Sequence, residues 1–342
     1  MLNGPSTRPG ESRPKVSIIL LTYNHVKWIT QAVESVLMQK TNFDYELTIV
    51  EDCSTDGTRE KVIDFQGRFP ERITLNLSDT NGKYRTNLAA AFLACTGQYI
   101  AQLDGDDYWT SPYKLQKQAD FLDAHPECTL CFHNVRAFDE DGIEEPWYQN
   151  PADQEEITSL EDLLVENYIA SCSPMFRGGI VETFPEWYYD ASWADWPLYI
   201  LHAQRGKIGY LNDVMGAWRI HNQGMWSGLR KPQMVDQTVE FYKQITPHLE
   251  TGQQVIVQSR ISHWATRRMR KYRKRLRRKR IQLKELEEAL AGERQKVRRL
   301  KRRNRRLIQR ARALEGRTQN GVARRIRSAL RRTSRRISSR MP

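Results

Sequence analysis

The chain has 342 residues, 39% of them hydrophobic and 28% charged, with a formal net charge of +13. The charge is uneven: Arg260 to Arg340 hold 33 basic and 5 acidic residues, whereas the chain before Arg260 holds 21 basic and 36 acidic. That describes an acidic body large enough to bury a core, followed by a strongly basic tail, and no apolar run approaches the roughly 18 residues of a spanning helix.

The polar stretch 1–14, rich in Pro and Gly, lacks the apolar segment of a secretory signal and is expected to be a disordered leader. The body then alternates strands and helices. Val16 to Leu21 is a near-continuous apolar run and predicts the first strand, followed by helical spacing of Ile29, Val33, Val36 and Leu37 within 26–39. Further strands are expected at 45–50, 73–77 and 99–103. Helices are expected at 58–69, 87–95 and 113–124, the last opened by Pro112. Strands this apolar, alternating with helices, predict an α/β fold built on a mostly parallel sheet covered on both faces. After Asp139 the alternation lapses. A helix near 160–167, an aromatic region over 184–199 and strands near 208–211 and 215–220 read as the second half of the same domain, which runs from 15 to 250. Five cysteines, an odd number in apolar segments, predict reduced thiols in a cytoplasmic protein.

From Thr251 the character changes. Thr251-Gly252-Gln253-Gln254 has the form of a capping box, and no proline occurs between Pro247 and Pro342. Leu283, Leu290 and Val297 recur every seven residues, with Leu286, Leu300, Leu307 and Leu314 three positions later. This predicts a basic helix or dimeric coiled coil over 251–316, with Asn304 at a core position that favours a parallel pair in register. The last segment, 317–342, carries Val322, Ile326, Ala329, Leu330, Thr333 and Ile337 on one helical face among arginines. Basic amphipathic helices of this kind lie on anionic membrane surfaces. Nucleic acid is the rival anion, but no recognisable nucleic-acid-binding fold accompanies the tail. A membrane or another anionic polymer is the expected partner, not a specific nucleic-acid sequence.

In open α/β sheets ligands bind beyond the carboxyl ends of the strands. Three predicted strands end in polar groups there: Thr22-Tyr23-Asn24, Glu51-Asp52 and Asp104-Gly105-Asp106-Asp107. Clustered carboxylates repel unless a cation neutralises them, and Asp oxygens suit Mg²⁺ or Mn²⁺ bound together with substrate phosphates. Gly105 lets the backbone approach a ligand. These residue types point to a metal-bound nucleoside diphosphate.

The blocks Lys15 to Asn24, Glu51-Asp52-Cys53-Ser54-Thr55-Asp56-Gly57-Thr58 and Gly97 to Asp107, with Asn81-Gly82 and Asn87 between them, resemble family 2 glycosyltransferases of GT-A fold in order and spacing. The resemblance covers about 15–122. It implies a divalent cation and transfer of a sugar from a nucleotide-diphosphate sugar to an acceptor hydroxyl, with inversion. The setting it implies is cell-surface glycan or glycoconjugate synthesis on the inner face of the membrane, the acceptor being a glycan, a lipid-linked glycan or a protein. On this resemblance Tyr23 lies against the base and Asp52 hydrogen-bonds it, with Asn24 alongside. Asp104 faces the ribose, Asp106 binds the metal, and Asp107 supports the turn from behind. Asp195 in Trp193-Ala194-Asp195-Trp196 matches the acid that deprotonates the acceptor, although Ala194 replaces the first of the usual pair. His221 in Arg219-Ile220-His221 matches an element that completes the metal's ligands, and Lys83 or Arg219 meets the diphosphate. Asp56 reads instead as an N-cap. The aromatic residues Trp187, Tyr188, Tyr189, Trp193 and Trp196 divide between core and acceptor groove. Two other readings remain. A sugar nucleotidyltransferase is disfavoured because no glycine-rich basic loop follows the first strand. The other is a non-catalytic scaffold acting through its tail.

Overall fold

The computed structural model describes residues 13–82, 84–140, 142, 145–224, 226, 228–315 and 325–332, with 267, 268, 271 and 272 described by backbone alone. They fall into two compact units that divide between Trp264 and Ala265. In the first, strands β1 (Val16–Thr22), β2 (Tyr45–Glu51), β3 (Ile73–Leu77) and β4 (Tyr99–Asp104) alternate with helices α1 (Ile29–Leu37), α2 (Thr58–Arg68) and α3 (Tyr84–Ala94). There follow β5 (Tyr108–Trp109), α4 (Lys114–Ala124), β6 (Cys128–Asp139), β7 (Trp147–Tyr148), β8 (Ile157–Thr158) and α5 (Leu160–Val165). The unit continues with β9 (Met175–Arg177), α6 (Glu186–Asp190), α7 (Asp195–Ala203), β10 (Lys207–Ile220) and α8 (Lys231–Ile245). The sheet order is β3-β2-β1-β4-β9-β6-β10-β5, with β7 paired to β6 and β8 to β10.

β1 shows why the expected class holds. All seven residues are buried; Val16, Ile18 and Leu20 join one core while Ile19 and Leu21 join the other. Both faces are covered, as an uninterrupted apolar strand requires. The first core packs α1, α2 and α4 against the sheet, and the second packs α3, α5, α7 and α8.

The second half differs from its sequence reading in instructive ways. The strands expected near 208–211 and 215–220 are one 14-residue strand, β10, whose pairing to β6 shifts register between Leu211 and Val214 and again before Gly216. A β-bulge lets one strand continue where polar Asn212 and Asp213 suggest a break. β9, only three residues long, runs antiparallel between β4 and β6, so the sheet is mixed there. The helix expected from 26 begins at Ile29; residues 26–28 form a turn in which the Trp28 and Ile29 N–H groups donate to the His25 carbonyl.

Helix α9 (Thr251–Glu315) is 65 residues long. Its first turns belong to the body: Val257 is fully buried in the second core, and Ile256 and Ile261 pack on that core. In the second unit the predicted leucine stripe is open to solvent, with Leu283, Leu286, Leu290, Leu300, Leu307 and Leu314 between 40% and 68% exposed. Asn304, expected to face a second copy, donates from Nδ2 to the carbonyl of Leu330 at 3.3 Å. Leu330 lies in a short helix over 325–332. The rest of the amphipathic segment, including Val322, Thr333 and Ile337, lies outside the described residues.

Candidate active site

Strand register brings the polar chain ends together. Thr22 pairs with Glu51, and Leu21 with Asp104, so the carboxyl ends of β1, β2 and β4 lie side by side where the strand order reverses. β10 delivers Arg219 and His221 to the same edge. Its antiparallel pairing to β5 places Ala217 opposite Tyr108, which draws the Asp104–Asp107 turn towards β10.

The turn closes tightly. Gly105 donates its N–H to the Leu21 carbonyl at 2.7 Å. A Cβ at Gly105 would lie 2.6 Å from Thr22 Oγ1 and 2.8 Å from His25 Nδ1, so only glycine fits. Asp106 Oδ2 faces two imidazoles, His221 Nε2 at 3.0 Å and His25 Nε2 at 3.7 Å. Burial pushes the Asp106 carboxyl up, but the His221 hydrogen bond and both histidines outweigh it, so its pKa is lowered. Asp104 takes the opposite direction: burial and then the Asp106 charge hold it well above the carboxylate range. Its Oδ1 accepts from the Tyr84 hydroxyl at 3.4 Å. Asp107, 3% exposed, accepts the Arg219 N–H at 2.8 Å and is raised by burial and then by Asp106 and Asp104.

Asp52 is oriented from outside its own strand. Its Oδ2 accepts from the Gly82 N–H at 3.2 Å and its Oδ1 from Asn87 Nδ2 at 2.9 Å. Tyr23 stands at the strand end with 41% of its surface exposed. Asn24 is occupied within its own loop, where Oδ1 accepts the Thr55 N–H at 2.9 Å and its N–H donates to Ser54 Oγ. Asp56 accepts from the Thr58 N–H and hydroxyl and from the Val26 N–H; the N-cap position expected for it is taken by Gly57, and Asp56 orders the turn one residue earlier. Lys83 lies outside the described residues.

Arg219 is not available to a diphosphate. Its Nε donates to the Asp106 carbonyl at 2.9 Å, its Nη1 to Glu140 and its Nη2 to Gln31 Oε1 at 2.8 Å, and its guanidinium lies over the Phe138 ring. With three fixed acceptors it serves to hold the turn. Trp28, His25 and Tyr84 are neighbours that sequence reasoning missed. Trp28 lies against His221 with centroids 4.3 Å apart and ring planes tilted by 41°, and no local pattern marks it.

Asp195 is the first residue of α7. Burial raises its carboxyl, and hydrogen bonds from the Trp196 and Asp195 N–H groups hold it down only partly. Its charge is felt by Tyr84, Tyr188, Tyr199 and Asp104, which places it on the Asp104 side of the cleft. Trp187, Tyr188 and Trp196 are buried core, whereas Tyr189 is 38% exposed.

As a cation site the residues fit in a limited sense. Three carboxylates, Asp107 buried and Asp104 and Asp106 half-buried, crowd one turn, and Asp104 and Asp107 are driven toward the neutral form. Such a cluster is relieved by a positive ion. Among the described residues no group of three His, Cys, Asp or Glu side chains is arranged to hold an ion alone. Asp106 and His221 would supply two donors, leaving the others to substrate phosphate oxygens, the usual mode for Mg²⁺ and its analogues.

Comparison with known proteins agrees with this geometry. Residues 17–184 match the profile described as Glycosyl transferase family 2. An uncharacterised protein of Mycobacterium tuberculosis is 34% identical over 211 residues, 62% of this chain and 60% of its own length. Thus the chain spans about three fifths of that relative. Among solved structures, Staphylococcus aureus TarS 1-349 in complex with UDP-GlcNAc superposes with a TM-score of 0.54 at 20% identity, covering 73% of this chain and 71% of that one. The mannosyltransferase PcManGT of Pyrobaculum calidifontis, in complex with GDP-Man and Mn²⁺, gives 0.53 at 17% identity over 73% and 70%. At these identities the likeness is one of fold, the GT-A arrangement anticipated from the motif order. With the profile match, the relatives and the shared fold in agreement, residues 17–184 of the chain belong to glycosyl transferase family 2.

Proposed function

We propose that the protein transfers a sugar from a nucleotide-diphosphate donor to an acceptor hydroxyl with inversion, using a divalent cation, in cell-surface glycan synthesis. The observation that carries this reading is the convergence, on one sheet edge, of Tyr23, Asp52, Asp104 and Asp106 with His221 on the Asp106 carboxylate. Tyr23 offers an open ring face to the base, and Asp52, held by Gly82 and Asn87, is aimed to hydrogen-bond it. Asp104 faces the ribose. Asp106 and His221 would hold Mg²⁺ or Mn²⁺, which when bound acts as a Lewis acid toward the departing diphosphate. Asp107 and Arg219 keep the turn in shape, and Lys83, outside the described residues, is read as a contact of the diphosphate.

Asp195 accepts the proton of the acceptor hydroxyl as that oxygen bonds to the anomeric carbon. The bond from that carbon to the diphosphate oxygen breaks, and its electron pair leaves with the nucleoside diphosphate. One displacement inverts the centre, with no covalent enzyme intermediate. Burial raises the Asp195 pKa, which makes its carboxylate a stronger proton acceptor than an ordinary one.

The names of the relatives support the setting: TarS is a poly(ribitol-phosphate) beta-N-acetylglucosaminyltransferase, and TuaG is named for teichuronic acid biosynthesis. The basic tail is read as the part that holds the enzyme to an anionic membrane surface. The open leucine stripe of α9 is read as the contact of a coiled-coil pair, and sedimentation equilibrium of the full chain with Leu290→Asp tests that assignment.

Calorimetric titration of UDP, GDP and dTDP with and without Mn²⁺ tests the donor site. Mn²⁺-dependent binding of one nucleotide, lost in Asp106→Ala, is the expected result. Binding of none would favour the scaffold reading.

A further inference from the structure

The metal end of the cleft and the Asp195 end are joined by one loop. It leaves β10 at His221, whose ring touches Asp106, and five residues later carries Trp226. Trp226 is 39% exposed, and its ring meets Trp193 edge-on, with centroids 5.2 Å apart and planes at 82°. Trp193 precedes Asp195 by two residues and lies parallel to buried Trp196 at 6.2 Å. Phe241 of α8 backs both, at 5.6 and 5.3 Å.

The loop is folded. The Gly228 N–H donates to the Gly224 carbonyl at 2.9 Å, and the Leu229 N–H to the Trp226 carbonyl at 3.0 Å. A Cβ at Gly228 would lie 2.7 Å from the Asn222 and Gly224 carbonyl oxygens, so that turn requires glycine. Trp226 is therefore held in place with part of its indole open to solvent. A lone exposed aromatic needs no explanation. Here, however, the exposed indole is braced by a second one beside the proposed base, and the indole Nε1 atoms of Trp193 and Trp196 are buried with no hydrogen-bond partner among the described residues.

We infer that Trp226, braced by Trp193, is a stacking platform for a pyranose ring of the acceptor, and hence that the acceptor is a carbohydrate and not a polypeptide hydroxyl or an acyclic polyol phosphate. The electron-rich indole face complements the polarised C–H face of a sugar ring. A polyol chain presents no such flat face, and a peptide does so only at a proline or an aromatic side chain. This inference rests on the donor-site reading above, since it takes Asp195 as the group that the acceptor hydroxyl must reach.

The test loads the full-length protein with Mn²⁺ and the nucleotide selected by calorimetry. Binding is then measured on an array of pyranose oligosaccharides, with hydroxyl-bearing peptides and a glycerol-phosphate oligomer as controls. The wild type is expected to retain a subset of the oligosaccharides. Trp226→Ala should weaken that binding by about tenfold, the scale of a lost aromatic contact, and Trp226→Tyr should recover most of it. Nucleotide affinity should be the same in all three proteins. Unchanged glycan affinity in Trp226→Ala would overturn the platform, as would a wild type that binds nucleotide but prefers a peptide or polyol control or no array member. Loss of nucleotide affinity in Trp226→Ala would instead show a role in loop structure. A wild type that binds no nucleotide would remove the donor-site reading, and this inference with it.

Discussion

Two ionisable groups carry opposite consequences for stability. Lys114, fully buried at the start of α4, has no hydrogen-bond partner for its Nζ among the described residues and stands 4.0 Å above the Trp109 ring. Burial pulls its pKa down to about 7, with Cys131 and Cys172 opposing the shift. The unfolded chain therefore holds a proton that the folded protein lacks between about pH 7 and the ordinary lysine range. Stability should rise with pH through that window and be lowest below it. Lys114→Met should raise Tm at pH 6 and flatten the dependence, as thermal melts from pH 6 to 10 would reveal. Asp195 is a carboxyl raised by burial, so folding is penalised above its ordinary pKa and the penalty fades on acidification. Asp195→Asn should thus melt higher at neutral pH, yet lower kcat by about 10²–10⁴-fold with nucleotide affinity unchanged. The acid limb of the wild-type kcat/KM profile should lie above the usual carboxylate range. A variant with full activity would exclude Asp195 as the base.

At the scale of elements, the site depends on how β10 sits against β6, β5 and α4. Gly209 of β10 shows how little room there is: a Cβ there would lie 2.1 Å from Phe121 Cε1 of α4. Gly209→Ala must push Phe121 aside and should cost about 1–3 kcal/mol, read as a fall in Tm. Gly209 is far along β10 from His221, so nucleotide affinity measured well below Tm should hold. Gly105→Ala differs in kind, because its Cβ would strike Thr22 and His25 within the site; it should abolish Mn²⁺-dependent nucleotide binding. The same contrast explains what could be read ahead of the structure. β1 announces itself by an unbroken apolar run. β9, three residues between two long strands, has no pattern of its own and is recruited by the open edges of β4 and β6.

The whole molecule joins an acidic body to a tail in which Arg260 to Arg340 carry 33 basic residues. Attraction of that tail to an anionic surface is screened as the Debye length falls from about 10 Å at 0.1 M salt to about 3 Å at 1 M. The full chain should co-sediment with phosphatidylglycerol vesicles at low salt and be released at high salt, while phosphatidylcholine vesicles leave it in solution. Replacing Arg298, Arg299, Arg302, Arg303, Arg305 and Arg306 with Gln should shift release to lower salt. Binding indifferent to salt and to these changes would remove electrostatics as its cause.

The residue order alone determined the α/β class, the position of the family 2 motifs and the division into acidic body and basic helix. Each is written in local features: apolar runs, motif spacing and charge density. Tertiary structure decided which polar residues work together. His221 meets Asp106 across 115 positions, Arg219 is consumed by Glu140 and Gln31, and Trp226 is set against Trp193. The aromatic cluster likewise sorted into a buried core and an exposed edge only once α7 and α8 had packed. Such pairings depend on strand order and register, which no local stretch of sequence encodes.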